Sequence, residues 1–367
     1  MKISKQLSIG AGLLALAAPS ARAEVVQFLA MDQVEFSAET LSWSESISIK
    51  GAFNGLASAR LDLGGNESFT HSEVRATVKG DHLGVFATTR YDYYTKYNPD
   101  VAPLLVNNVN GNLIKEGEYD VDISLNEVQA SGVGVVFAHN ISNTISVSAS
   151  MTALSLHRFT DGKIEGQVTA PRDGAYWADV TADYYYTHDI ILDRQVEDPN
   201  GYGVTTDLEL AWEPTKDLTI AVEARDLYSD LRWDDAPRTE LDSSTTRVTV
   251  AEDGLLNVRP YLSGRETYED HKQRYNPRLV ASVAYDMNER WTVEQSAMKV
   301  EDITLAESRV TWQANDELQV SGSAEWTSGA VGAAVKWKNI GFEVATNSLD
   351  VNQASYLKAS ISIGVNF

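Results

Sequence analysis

The chain has 367 residues, 43% of them hydrophobic, with 30 lysines and arginines, 52 aspartates and glutamates, and no cysteine. A formal charge of −22 leaves no basic footprint for nucleic acid, so that class of partner is excluded. Without cysteine there are no disulfides, and stability must rest on packing and on hydrogen bonding.

The first 23 residues read as a secretory signal. Lys2 and Lys5 give the positive start, Ile9 to Ala18 a short apolar core, and Ala21-Arg22-Ala23 a cleavage site, so the mature chain starts at Glu24. The signal carries three basic residues and no acidic one. The mature chain therefore holds 27 basic against 52 acidic side chains, a charge of −25. No later stretch is long and apolar enough for a membrane-spanning helix. No Pro- or Ser-rich linker divides residues 24–367, which read as one domain.

From there the chain alternates with a period of two. Val204, Thr206, Leu208, Leu210 and Trp212 share one face, with Asp207 and Glu209 on the other. Leu318, Val320, Gly322, Ala324 and Trp326 oppose Gln319, Ser321, Ser323 and Glu325 in the same way. This pattern predicts strands near 41–60, 70–79, 83–94, 121–138, 143–159, 174–186, 189–197, 202–213, 217–233, 276–286, 290–300, 304–313, 317–326, 330–337, 341–349 and 355–367. A phrase recurs between them: an aromatic, a tight polar turn, then an alternating strand. It runs from Phe137, Trp212, Tyr285 and Trp312, and in a shorter form from Trp337. Those turns fall at 139–142, 213–216, 286–289, 314–316 and 338–340, all at one end of an up-and-down arrangement. Longer connections, at 95–120, 160–173 and 234–275, fall at the other end. Within the last, 247–251 and 256–262 alternate and suit a hairpin extending the wall.

The final strand, residues 355–367, places Leu357, Ala359, Ile361, Ile363, Val365 and Phe367 on one face and ends on that phenylalanine. It resembles the closing strand of bacterial outer-membrane β-barrels, in which the terminal aromatic is also the assembly signal. The resemblance implies an all-β fold: a transmembrane antiparallel up-and-down β-barrel of about sixteen strands, with fourteen to eighteen open. It also implies residence in a Gram-negative outer membrane, contact with lipid and lipopolysaccharide, and Phe367 as the signal read by the barrel-assembly machinery. Short turns at the periplasmic end and long loops outside are the asymmetry of that class.

Charge in a membrane span must face water or a partner. Asp207, Glu209, Glu223, Arg225, Glu294, Arg309, Glu325, Lys336, Glu343 and Lys358 lie opposite the apolar faces and are the pore-lining candidates. About sixteen strands enclose more space than side chains fill, so a water channel is expected over a plugged interior. In size and strand number the chain resembles the general porins, whose third loop narrows the lumen and which allow a homotrimer. By that resemblance Asp161, Lys163, Glu165, Arg172 and Asp173 are constriction-loop candidates, although 160–173 is short and carries no porin motif. The segment 95–120 is the rival constriction element. The expected function is passive diffusion of small hydrophilic solutes or ions. The alternatives are a barrel-anchored surface protein acting through its outer loops, and a hydrophobic-solute transporter, against which the charged inner faces argue. Six histidines lie near hydroxyls or carboxylates without a barrel-enzyme signature; His71-Ser72-Glu73 is one such group. No catalysis, cofactor or metal is expected.

Overall fold

The computed structural model describes residues 33–53, 65–110, 112, 114–172, 175–189, 192, 194–244, 248–250, 256–258 and 262–366. The signal segment, Phe367 and Asp173 lie outside the described residues. The strands are β1 (Gln33–Ser44), β2 (Glu67–Lys79), β3 (Leu83–Tyr97), β4 (Gly117–Asn140), β5 (Ile145–Arg172), β6 (Ala175–Tyr186), β7 (Asn200–Thr215), β8 (Leu218–Ser244), β9 (Val248–Val250), β10 (Leu256–Val258), β11 (Leu262–Gln273), β12 (Arg278–Asn288), β13 (Trp291–Val300), β14 (Ile303–Asn315), β15 (Leu318–Glu325), β16 (Ala330–Trp337), β17 (Ile340–Thr346) and β18 (Tyr356–Asn366). Two helices, α1 (Ile49–Phe53) and α2 (Val101–Val109), sit in the links after β1 and β3.

All pairings are antiparallel. The ring runs β1-β2-β3-β4-β5-β7-β8 and then β12 through β18, and it closes where β18 pairs β1 from Gln33↔Asn366 to Trp43↔Tyr356. That is a closed barrel of fourteen strands. Two more, β6 and β11, complete the sixteen-stranded sheet by pairing with the upper halves of β5 and β8. Closure leaves the fourteen-strand ring without an edge, which is what hydrocarbon demands of a spanning sheet.

The outward face is a membrane face. Val133, Val331 and Val344 are 65%, 68% and 52% exposed, and Leu208, Leu210, Leu279 and Val283 stand beside their strand neighbours in the same way. Phe137, Trp212, Tyr285, Trp291, Trp312 and Trp337 ring the short-turn end at the same face. An exposed apolar belt of this extent edged by aromatics is a lipid-facing surface with its interfacial girdle. The chain is an outer-membrane β-barrel. The recurring phrase does mark the turns of one rim: 141–144, 216–217, 289–290, 316–317 and 338–339 all join strands there.

Several expectations need correction. Residues 189–197 form no strand among those described; β6 and β7 are two pieces of one descending line, interrupted by 187–199. The first strand is Gln33–Ser44 rather than 41–60. Residues 160–172 of the supposed loop 160–173 are the upper half of β5, and 234–275 holds the top of β8, the paired β9 and β10, and β11. These strands outrun the bilayer, so no lipid-facing apolar row betrays them in the sequence. They pair as an extension of the wall, β4-β5-β6-β8-β11, beyond the loop end of the ring.

Candidate functional site

A circular ring of fourteen strands spaced ~4.8 Å apart and tilted ~40° would measure roughly 28 Å between opposite backbones. β1 and β8 stand six places apart on that ring, almost facing each other. Yet Arg225 Nη1 of β8 lies 2.7 Å from Glu39 Oε1 of β1. Likewise Arg90 of β3 clasps Asp226 of β8 with both nitrogens of its fork, at 2.8 and 2.7 Å. The interior is therefore crossed by direct side-chain contact.

The Arg90–Asp226 contact depends on a bulge in β8. Thr206 pairs Tyr228 and Leu208 pairs Ala224, so Asp207 alone faces three residues. Asp226 adopts a left-handed backbone, φ 54°, and its N–H donates to Asp207 Oδ1 at 2.9 Å. Strict alternation would send Asp226 outward after the inward Arg225; the bulge turns both inward and leaves Leu227 and Tyr228 to the lipid.

Around these pairs a belt assembles. Asp92 receives Arg90 Nε at 2.6 Å and meets His71 Nδ1 at 2.8 Å. Glu73 accepts from Arg75 at 2.9 Å and from Thr88 at 2.6 Å, and lies 3.4 Å from Arg225. Arg278 stands 3.9 Å from Glu39, Arg75 stands 4.0 Å from Asp207, and Glu223 pairs with Arg225. Arg90 also rests over the Tyr275 ring, 3.9 Å from its centroid. In all, six carboxylates (Glu39, Glu73, Asp92, Asp207, Glu223, Asp226) meet four guanidiniums (Arg75, Arg90, Arg225, Arg278). A second knot joins Lys358 to Glu307 at 3.1 Å and Glu343 at 2.9 Å, with Arg309 on both carboxylates. Between the two knots lies a cavity of ≈ 240 Å³ touching Glu39, Arg225, Met298, Leu305, Tyr356 and Lys358.

Towards the loop end the interior turns apolar. On one side Val128, Leu154, Leu156, Phe159, Leu231 and Trp233 pack into one cluster, with the Phe159 and Trp233 rings stacked at 4.1 Å. Trp233 fits because its neighbour on β7 is Gly201, where a Cβ would come within 2.5 Å of the indole. On the other side Trp43, Phe69 and Tyr94 meet Val300, Ile303, Leu305 and Tyr356. Inside the ring side chains from facing walls touch, so the wide water-filled lumen expected from strand number is narrowed at the described residues.

Beyond these clusters the wall extension forms two cavities back to back. Its inner face is a polar cup of ≈ 810 Å³ bearing Asp161, Lys163 and Glu165 of β5, Asp183 and Tyr185 of β6, and Glu240 and Asp242 of β8. Here His271 Nε2 meets Asp161 Oδ2 at 2.7 Å and stacks on Tyr185 at 4.0 Å. Arg238 donates to both oxygens of Asp183 at 2.8 Å, which holds that carboxyl below its ordinary range. The outer face is covered by α2, whose Val101, Ala102 and Val106 are buried against Tyr97, Val121 and Val168. Beneath the helix is an apolar cavity of ≈ 350 Å³ bounded by Tyr93, Tyr97, Leu105, Ile123, Leu125 and Ile164. The two cavities share Gly162 and Lys163 of β5.

The sequence-predicted residues distribute as follows. Asp207, Glu223 and Arg225 join the belt; Arg309, Glu343 and Lys358 form the second knot. Glu325 borders the same cavity but is spent on the β15–β16 turn, accepting from Thr327 N at 2.9 Å and Ser328 N at 2.6 Å. Glu209, Glu294 and Lys336 sit on the same faces nearer the short-turn end and join neither knot. Asp161, Lys163 and Glu165 belong to a strand, not a constriction loop, and line the cup; Arg172 ends β5. Sequence reasoning missed Glu39, Arg75, Arg90, Asp92, Asp226, Arg278 and Glu307, and set His71 and Glu73 aside as an isolated group. Some of them carried a signal as charge-x-charge steps, His71-x-Glu73-x-Arg75, Arg90-x-Asp92 and Glu307-x-Arg309; Glu39 and Arg278 belong to no such step. Residues two apart share a face, so His71 and Glu73 do point together and only Ser72 turns away.

No protein-family model and no curated protein matches the chain. Among solved structures it is similar to the Ralstonia pickettii toluene transporter TbuX, at 9% identity over 93% of this chain and 90% of that one, TM-score 0.47. A Pseudomonas aeruginosa FadL homologue aligns at 7% identity over 91% and 88%, TM-score 0.42. The translocator domain of the autotransporter NalP from Neisseria meningitidis aligns at 9% over 95% of both chains, TM-score 0.34. Likenesses at this level assign neither substrate nor mechanism.

Proposed function

We propose that the chain is a gated outer-membrane transport channel, closed in this state, that takes up small apolar molecules at its loop end. The observation that carries this reading is the cavity beneath α2. It is ligand-sized and apolar, at the end of the barrel that faces the medium, and it backs onto the inner cup across Gly162 and Lys163. The side-chain contacts across the ring count against free diffusion of hydrophilic solutes through this state. Of the inner-face charges that argued against an apolar substrate, Asp207, Glu223, Arg225, Arg309, Glu343 and Lys358 are paired within the belt and the second knot and so do not describe the solute.

The test is fluorescence titration of the folded barrel in detergent with an uncharged aromatic probe. Saturable binding is expected, weakened at least about tenfold in Ile123→Asp, which places a charge in the cavity without a partner. Liposomes carrying the barrel should not swell in small sugars. Sugar-dependent swelling with no effect of Ile123→Asp on probe binding would restore the hydrophilic reading.

A further inference from the structure

The belt leaves one group without an ordinary explanation. His71 is 3% exposed, and its Nδ1 lies 2.8 Å from Asp92 Oδ1. With the proton on Nδ1 directed at that carboxylate, Nε2 presents a lone pair. Among the described residues Nε2 has no hydrogen-bond partner, and what it faces is another acceptor, Glu39 Oε1, at 3.5 Å. Glu39 and Glu73 are directly opposed across the β1–β2 pair, an arrangement of like charges that is unfavourable unless a cation lies between them. One ligand atom from each of Glu39, His71 and Glu73 falls within 4.8 Å of the other two.

We propose that Glu39, His71 and Glu73 form a binding site for a divalent transition-metal ion of the Zn²⁺ class, with the Arg225 guanidinium as its competing cation. The geometry is close to the requirement. Metal–ligand bonds of ~2.1 Å in a tetrahedron give ligand separations of roughly 3.4 Å, against 3.5 Å between Nε2 and Glu39. One imidazole with carboxylates suits Zn²⁺ better than Mg²⁺ or Ca²⁺, which take all-oxygen sets. Asp92 behind Nδ1 is the outer carboxylate that orients a ligating histidine and fixes its tautomer. The charge count agrees: six carboxylates against four guanidiniums leave the belt short of two positive charges when His71 is neutral. Arg225 touches the same two carboxylates, at 2.7 and 3.4 Å. A metal ion and the cross-barrel bridge are therefore alternatives: loading the site frees Arg225 from β1 and removes one contact that draws the two walls together.

The test uses the untagged, folded full-length barrel in detergent, titrated calorimetrically with Zn²⁺ and, separately, Mg²⁺. One Zn²⁺ per chain and no Mg²⁺ uptake are expected. His71→Asn keeps an amide donor facing Asp92 but deletes Nε2, and it should weaken binding at least about tenfold. Arg225→Gln should move affinity the other way, by several-fold tightening, because the competitor is gone. That gain cannot come from a damaged fold. His139→Asn, at the exposed short-turn rim, should leave binding unchanged and reports uptake by surface histidines. Zn²⁺ uptake that survives His71→Asn, or that is unchanged or weakened by Arg225→Gln in a barrel still folded on a heat-modifiability gel, overturns the proposal. Absence of Zn²⁺ uptake overturns it too, and leaves His71 as an imidazolium shared between Asp92 and Glu39.

Discussion

The two halves of the ring are built to different rules. From β12 to β18 the strands are 7 to 13 residues long, joined at the short-turn end by two-residue turns, and bulged only beside those turns. From β4 to β8 they reach 24, 28 and 27 residues, and their register slips in mid-strand at Gln129/Ala130 and at Thr206/Leu208. The first half is what a bilayer requires and little more. The second spends extra residues on sending Asp226 into the interior and on raising a wall above the membrane that carries both cavities. Bulges gather where a side chain must be re-aimed, and here they gather on the side that holds the cup and the belt.

Replacing Arg90 of β3, which clasps Asp226 of β8, should disturb the irregular half most severely. Its side chain is 7% exposed and serves two carboxylates, Asp92 and Asp226. Arg90→Met leaves both buried without their counter-charge, an expected loss of about 3–5 kcal/mol. Denaturant unfolding of the barrel in lipid vesicles, followed by tryptophan fluorescence, measures it. A loss below 1 kcal/mol would mean that the belt is water-filled and does not brace the wall.

In the regular half the effects should be smaller, because each residue does one job. Trp312 lies in the interfacial girdle with its ring 6.3 Å from that of Trp291. Trp312→Ala should cost on the order of 1 kcal/mol by the same assay, and it should leave apolar-probe binding unaltered. Smallest of all, Glu317→Gln removes an exposed pair with Lys338 at 3.4 Å and should change stability by less than about 1 kcal/mol. A larger effect there would show that the short-turn rim is coupled to the interior.

The same contrast explains what could be read from the sequence. Strands β12 to β18 were legible to within a few residues, since lipid on one side and side chains on the other force an alternation that nothing else in the chain imitates. The extension was not legible. Above the membrane both faces of β5, β6 and β8 are covered or wet, so Asp161 to Arg172 looked like a loop. Of the belt, Asp207, Glu223 and Arg225 were found because they sit between lipid-facing neighbours. His71 and Glu73 were seen and set aside, although two-residue spacing puts them on one face. Asp226 could not have been found at all: only a left-handed residue inside a strand, φ 54°, turns it inward, and no local residue type announces that. The pairing of the charges was equally hidden, since it depends on which walls face each other.

The seam at which β1 meets β18 sets a condition on how such a molecule can be made. Gln33 is partnered by Asn366, so the contact that completes the ring joins the two most distant described residues of the chain. Contacts of that sequence separation form late and slowly. Until they do, the growing sheet presents two open edges, which hydrocarbon does not tolerate and which would pair with any neighbouring strand. Insertion must therefore be all-or-nothing with respect to the last strand. A lesion in β18 should appear as absent protein in the membrane, whereas an equally harsh lesion in β6, which lies off the ring, should appear as a barrel that is present and impaired.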